Sequence, residues 1–263
     1  MRSTAARRAS VFLIVLILLL VLVIAYFTPR YLRFSEAIRL VRKAISVTRP
    51  ARHSLDALTP YLLDVPHPKH LPPDAIPKTV EPLDMAALFG RAAPLEIEIG
   101  FGKGLFLCDA ARAFPNVNFL GIEIERKYVI STAARLAKLA LPHVKVTCTE
   151  ARWFLAMYVP AETVDAVHVY FPDPWWKKKH KKRKLFTPDF ARETFRVLKA
   201  DGVFHFATDV QAYFDESLAL IRTMGQFVER PWPADHIPDL MTNFERKYRA
   251  EGRPIYRSRF AKS

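Results

Sequence analysis

LEIEIGFGKGLFLCDAARAFPNVNFLGIEI, residues 95–124, decides the fold. LEIEI (95–99) reads as a strand, and Gly100-Phe101-Gly102-Lys103-Gly104 as a glycine-rich turn that opens a helix from Leu105 to Phe114. NFLGIEI (118–124) is a second strand with Glu123 at its tip, and a helix over Lys127 to Leu139 follows. The rhythm continues through VKVTC (144–148), a helix from Ala151 to Tyr158, DAVHVYF (165–171), a helix opened by Thr187-Pro188, GVFHFAT (202–208) and a helix from Tyr213 to Thr223. Thr187 is a good N-cap, and Pro188 suits the first helical position. Strands alternating with helices through short links predict an α/β, doubly wound and mostly parallel sheet covered on both faces.

Strand ends are where open α/β sheets place ligands. The glycines of 100–104 are spaced two apart, so the turn departs from the dinucleotide G-x-G-x-x-G pattern. A backbone of Gly100 and Gly102 still lets a ligand approach closely. Glu123 is positioned to accept the hydroxyls of a ribose. Glu98 precedes the turn and Glu150 follows the third strand. Three carboxylates around one such turn favour a cationic, adenosine-bearing ligand over a pyrophosphate, and S-adenosylmethionine is that ligand. Taken singly, each acid reads equally well as a solvated loop residue.

HVYFPDPWWKKKHKKRKLFTPDF (168–190) carries the functional signal. Two prolines fix φ and remove backbone donors, so the chain leaves the sheet at Asp173. Trp175 and Trp176 follow, and then seven Lys or Arg in the eight residues Lys177–Lys184. One tryptophan can pack under the loop while the other stacks on a base. A basic run is often only a solvated loop, and Pro-Asp-Pro often only a turn. The charge is local, however. The chain is +14 overall, residues 1–53 supply +9 of it, and the run at 177–184 supplies +7. The rest of the globular part is slightly acidic, as a docking site for a polyanion requires.

Cys108 and Cys148 make neither a disulfide framework nor a metal site, and no His or Cys pair has zinc spacing, so no metal is expected. Residues 11–27 are 17 consecutive apolar residues, followed by Thr28-Pro29-Arg30-Tyr31, a poor cleavage site. An uncleaved single-pass anchor is favoured over a signal peptide. The basic excess on its C-terminal side directs the folded part to the cytoplasmic side of an inner membrane. The expected organisation is an anchor over 1–33, a basic amphipathic segment and Pro-rich arm over 34–82, and a catalytic domain over 83–263. Arg246, Lys247, Arg249, Arg253, Arg257 and Arg259 read as a second basic surface.

E-I-G-F-G-K-G (98–104), G-I-E (121–123), F-P-D-P-W-x-K-K-x-H-x-K-R-K (171–184), A-T-D (207–209) and T-N-F-E-R-K-Y (242–248) occur in this order. Together they resemble the bacterial tRNA (guanine-N7-)-methyltransferase family, over about Leu83 to Phe260. The resemblance implies a Rossmann-like class I methyltransferase that moves a methyl group from S-adenosylmethionine to N7 of a variable-loop guanosine in tRNA. It implies that Glu98, Gly100, Gly102, Glu123, Glu150 and Asp173 line the cofactor pocket, with Asp173 also catalytic. It further implies that Lys177, Asp209, Thr242, Asn243, Phe244 and Glu245 contact the substrate. From the residues alone, Thr242 and Glu245 read equally well as a capping box. Two positions depart from the family: Glu150 stands where Asp or Asn is common, and Trp176 where a smaller or His-like residue is usual. Rival readings are a membrane-tethered methyltransferase with a lipid or small-molecule acceptor, and a non-catalytic nucleic-acid-binding protein.

Overall fold

The computed structural model describes residues 55–66, 68, 71, 76–77, 79–175, 184–232 and 240–263. Residues His53–Ser263 form one compact unit, and the other, Met1–Arg52, lies outside the described residues. The expected anchor at 11–27, the amphipathic segment from Phe34, and Trp176 to Arg183 with Lys177 also lie outside them. Among the described residues no helix is long and apolar enough to cross a membrane.

Two short helices, α1 (Leu55–Leu58) and α2 (Met85–Phe89), precede a regular alternation. The order is β1 (Leu95–Ile99), α3 (Leu105–Ala113), β2 (Asn118–Glu123), α4 (Arg126–Leu139), β3 (Val144–Cys148), α5 (Ala151–Tyr158), β4 (Val164–Tyr170), α6 (Pro188–Val197), β5 (Leu198–Thr208) and α7 (Gln211–Thr223). β6 (Phe227–Arg230), α8 (Asn243–Ala250) and β7 (Tyr256–Lys262) complete the chain. The seven strands lie in the order β3-β2-β1-β4-β5-β7-β6. β1 to β5 are parallel, as the sequence predicts. β7 runs antiparallel between β5 and β6, which the sequence reading missed.

β1 pairs with β2 on one side and β4 on the other, so the winding direction reverses there and a crevice opens at the strands' C-terminal ends. Glu98, Glu123, Asp173 and Asp209 reach that same edge because each ends or follows a parallel strand. Every residue of β2 is buried, as a strand covered on both faces requires. Over one face Phe154, Leu155, Phe190, Leu218 and Ile221 from α5 to α7 pack on Ile97, Ile99, Val167 and Phe206. Over the other, Phe106, Leu107, Val129, Ala133 and Leu136 from α3 and α4 pack on Phe119, Val144 and Val146.

The edge of β3 is covered by the preceding arm. Leu62 bridges Val146, the Leu63 N–H donates to the Val146 carbonyl at 2.9 Å, and Leu58 is buried. Such cover blunts an edge that would otherwise pair with another chain.

Gly104 opens α3 at φ +65°, and a Cβ there would stand 2.5 Å from Thr132 Cγ2 on α4. Substituting Gly104 with Ala combines a left-handed backbone penalty with an overlap, each of about 1–3 kcal/mol. Urea denaturation is expected to show that loss. Adding Thr132→Ala should recover the overlap but not the backbone part.

Candidate active site

The turn after β1 is built around two acids. The Gly100 N–H donates to the Ile122 carbonyl at 2.8 Å, tying the turn to β2. The Gly102 N–H donates to Glu123 Oε2 at 2.8 Å, while the Ile124 and Glu125 N–H groups donate to Oε1 at 2.8 and 3.0 Å. Glu123 therefore holds its own turn with three backbone bonds. A carboxylate has about four lone-pair sites, so one acceptor site on Oε2 remains for a ribose hydroxyl, where the sequence reading gave it both hydroxyls. A Cβ at Gly100 or Gly102 would meet nothing within 4 Å, so both glycines front open space rather than packed protein.

Glu98 is 3% exposed, and its Oε2 has no hydrogen-bond partner. Burial, then the charge of Glu123, pushes its carboxyl up to about 8, and the Leu107 backbone N–H opposes this in part. A buried carboxyl with one unpartnered oxygen, beside a second acid, is a site that gains by receiving a cation. Glu150 is committed differently. It caps α5 by accepting from the Trp153 N–H at 2.9 Å, and Arg152 Nε donates to its other oxygen at 2.8 Å. This N-cap role differs from the solvated loop residue that the sequence offered as the alternative to ligand binding.

Beyond β4 the backbone is unusual. Phe171 at φ 51° and Trp175 at φ 44° flank Pro172-Asp173-Pro174, and both are non-glycine residues in the left-handed region. Each such residue costs about 1–3 kcal/mol and clusters where geometry serves function. The Phe171 N–H donates to the Ala207 carbonyl at 2.7 Å, pinning the loop to β5. Asp173 is exposed, and Trp175 is half-buried. Lys184, last of the basic run, donates to Glu216 on α7 at 2.7 and 2.9 Å, so its own charge is engaged within the protein.

α8 meets this loop through aromatic contacts, with Phe171 lying 5.4 Å from Tyr248 and 6.4 Å from Phe244 between ring centroids. Thr242 caps α8 by accepting from the Glu245 N–H at 3.0 Å. Glu245 is buried and does not complete a capping box. Its Oε1 instead accepts from Arg249 Nε at 2.9 Å and from Arg257 Nη2 on β7. Asp209 pairs with Arg253, whose guanidinium lies 4.1 Å from the Tyr248 ring centroid. Asn243 and Phe244 are exposed. Arg249, Arg253 and Arg257, part of the expected second basic surface, are thus tied into ion pairs. Arg246, Lys247 and Arg249 remain exposed on α8.

A cleft between these elements is lined by Phe106, Tyr170, Ala207, Trp232, Thr242 and Glu245, among others. Sequence reasoning missed Phe106, Tyr170 and Trp232. Only the position of Tyr170 at a strand end, three residues before Asp173, could have signalled it. Of the expected site residues, Glu98, Gly100, Gly102 and Glu123 gather at the first turn. Asp173, Asp209 and Thr242 to Glu245 gather around β4, β5 and α8. Among the described residues no group of His, Cys, Asp or Glu could hold a metal ion.

A parallel sheet extended by an antiparallel β7, with a glycine turn after β1 and acids along one edge, has the architecture of a class I methyltransferase. Among solved structures, the aminoglycoside resistance methyltransferase NpmB1 shares this fold with a TM-score of 0.51 at 19% identity, over 71% of this chain and 97% of that one. The methyltransferase family model Methyltransf_4 matches residues 92–258. The tRNA (guanine-N(7)-)-methyltransferase of Rhodopirellula baltica is 40% identical over 195 residues, 70% of this chain and 71% of that protein. That of Sodalis glossinidius is 32% identical over 244 residues, 90% of this chain and 97% of that protein. The chain belongs to the tRNA (guanine-N7-)-methyltransferase family.

Proposed function

We propose that the protein transfers a methyl group from S-adenosylmethionine to N7 of a variable-loop guanosine in tRNA. The observation that carries this reading is the buried Glu98 carboxyl, one oxygen of which has no hydrogen-bond partner, beside an open glycine turn and one strand away from a strained loop presenting Asp173. Glu98 fits the ammonium end of that cofactor, and the free lone pair of Glu123 fits one ribose hydroxyl. Gly100 and Gly102 give its backbone side room, and Glu150 steadies the rim behind β3. S-adenosylmethionine supplies a methyl carbon made electrophilic by its sulfonium.

Guanine N7 carries a lone pair and no proton, so no residue need act as a base at that atom. As the new N–C bond forms and the C–S bond breaks, positive charge passes to the purine. The protein's task is alignment and electrostatics. Asp173 accepts from the guanine N1–H and one hydrogen of its exocyclic amine, and its negative charge offsets the developing cation. Lys177 to Arg183, with Arg246 and Lys247, grip phosphates through contacts that weaken as salt rises. Asp209 and Glu245 keep α8 in register with β5 and β7, so Thr242, Asn243 and Phe244 face the substrate from a fixed helix.

Residues 11–27 are assigned, from their sequence, to an inner-membrane anchor that leaves the catalytic part on the cytoplasmic side. The test is an acceptor panel using the full-length chain and labelled S-adenosylmethionine with unmodified tRNA, total lipid or buffer. Label in tRNA alone is the expected result. Label in lipid supports the tethered small-acceptor enzyme, and no transfer anywhere supports a non-catalytic RNA-binding protein.

A further inference from the structure

One buried polar array has no part in the mechanism above. Glu96 on β1 and His168 and Tyr170 on β4 share a face of the sheet, because His168 pairs with Glu98 in the β1–β4 register. His168 Nε2 lies 2.8 Å from Glu96 Oε2, and Nδ1 lies 2.9 Å from Tyr170 Oη. His168 is only 6% exposed and packs against Phe106 and His205 at ring-centroid distances of 5.0 and 4.8 Å. The neighbouring positions on the opposite face, Val167 and Val169, are fully buried and apolar. A Glu–His–Tyr chain in such surroundings is costly unless each member is satisfied, and here each is.

A carboxylate oxygen only accepts, so His168 carries a proton on Nε2. With that single proton on the ring, Nδ1 is an acceptor and the Tyr170 O–H donates to it, the tautomer on which the role given to Tyr170 below rests. With its single proton committed, the phenol oxygen can only accept a further bond. Burial, and after it the charges of Glu98 and Glu96, hold that proton on Tyr170 far above the ordinary range for a phenol. Among the described residues no donor bonds to Tyr170 Oη. Tyr170 nevertheless lines the acceptor cleft beside Ala207, Thr242 and Glu245. Arg257, the nearest cation lining that cleft, is committed to Glu245. The cleft is partly open to solvent, and its inner space, about 10 Å³, takes one water-sized group. An amine has that size.

We propose that Tyr170 is a specificity-determining residue that accepts a hydrogen bond from the exocyclic amine of the acceptor purine, with His168 and Glu96 as positioning residues that hold its proton away. This rests on the guanine-N7 reading and sharpens it. Asp173 takes the N1–H and one amine hydrogen, and Tyr170 takes the other. Adenine has no amine at that carbon, so the tyrosine oxygen would be left unpaired against it.

The test compares tRNA transcripts carrying guanosine or inosine at the accepting position, since inosine keeps N7 and N1–H but lacks the amine. The unaltered full-length protein is expected to favour guanosine by about tenfold or more in kcat/KM. Tyr170→Phe should lose several-fold on guanosine and little on inosine, with S-adenosylmethionine affinity preserved as the check on folding. His168→Gln, which can still donate to Glu96 and accept from Tyr170 through one amide, should retain much of the discrimination, whereas His168→Phe should lose it. Independently, ¹⁵N NMR of the histidine-labelled protein should find His168 protonated on Nε2 alone. Equal losses on both transcripts in Tyr170→Phe, or a proton on His168 Nδ1, would overturn the proposal while leaving guanine methylation intact. Failure of the unaltered protein to methylate either transcript would instead sink the guanine-N7 reading and this proposal with it.

Discussion

Replacing Asp173 with asparagine is expected to lower turnover on tRNA by about 10²–10³-fold, the scale of losing one preorganised electrostatic contact. Affinity for S-adenosylmethionine should change far less. The side chain keeps its size and shape in this variant, so the loop between Phe171 and Trp175 has no reason to rearrange. What changes is the charge and the pattern of acceptors, since an amide presents one acceptor oxygen and an NH₂ that faces the guanine N1–H with a donor. Among the described residues no cation pairs with Asp173, and its side chain is exposed. Single-turnover kinetics separate this from weakened binding. A variant with near-normal single-turnover rate would remove Asp173 from the mechanism and reduce Pro172-Asp173-Pro174 to a turn.

The second large effect is a dependence of stability and cofactor affinity on pH, carried by Glu98. Its carboxyl is pushed up to about 8 from an ordinary 4.5. Below that ordinary value the group is protonated in both folded and unfolded chains and contributes no pH dependence. As pH rises toward 8 the unfolded chain ionises first. The ligand-free fold therefore loses up to about 1.4 kcal/mol per pH unit from this group, and the loss levels off above the folded value. Glu98→Gln removes the titration, so its melting temperature should fall less than that of the unaltered protein between pH 5 and 8 (pH limits of about the range where the group titrates). A bound cation reverses the preference. S-adenosylmethionine should bind more tightly as pH rises through this window, with proton uptake by buffer detectable in calorimetry, and Glu98→Gln should bind weakly with a flat profile. Identical pH profiles for the two proteins would show that Glu98 neither titrates there nor meets the cofactor's charge.

Much of this arrangement was legible before any coordinates. The strands LEIEI, NFLGIE and VKVTC are short apolar runs bounded by turn residues, and parallel winding then forces their last residues to one edge. That logic located Glu98, Glu123 and Asp173 without knowledge of any contact. It could not tell which acids the protein consumes itself. Glu150 caps α5 and Glu123 gathers three amides, and nothing in the identity of a glutamate at a strand end distinguishes those roles from ligand binding.

The C-terminal strands were illegible for a different reason. YRSRFAK (256–262) reads as a basic stretch, but its alternation sends Ser258 and Phe260 into the core while Arg257 turns to Glu245. Its insertion between β5 and β6 depends on pairings across long separations in the chain, which no local pattern encodes. The Glu96–His168 contact is of the same kind, spanning 72 residues and created only by the β1–β4 register.

At the centre of the account stands an unprotonated ring nitrogen as the nucleophile. A tRNA transcript with 7-deazaguanosine at the accepting position removes that nitrogen and leaves the Watson–Crick edge and phosphates unchanged. The full-length protein should bind it as tightly as the guanosine transcript and transfer no labelled methyl to it. Undiminished transfer to the 7-deaza transcript would contradict the account outright.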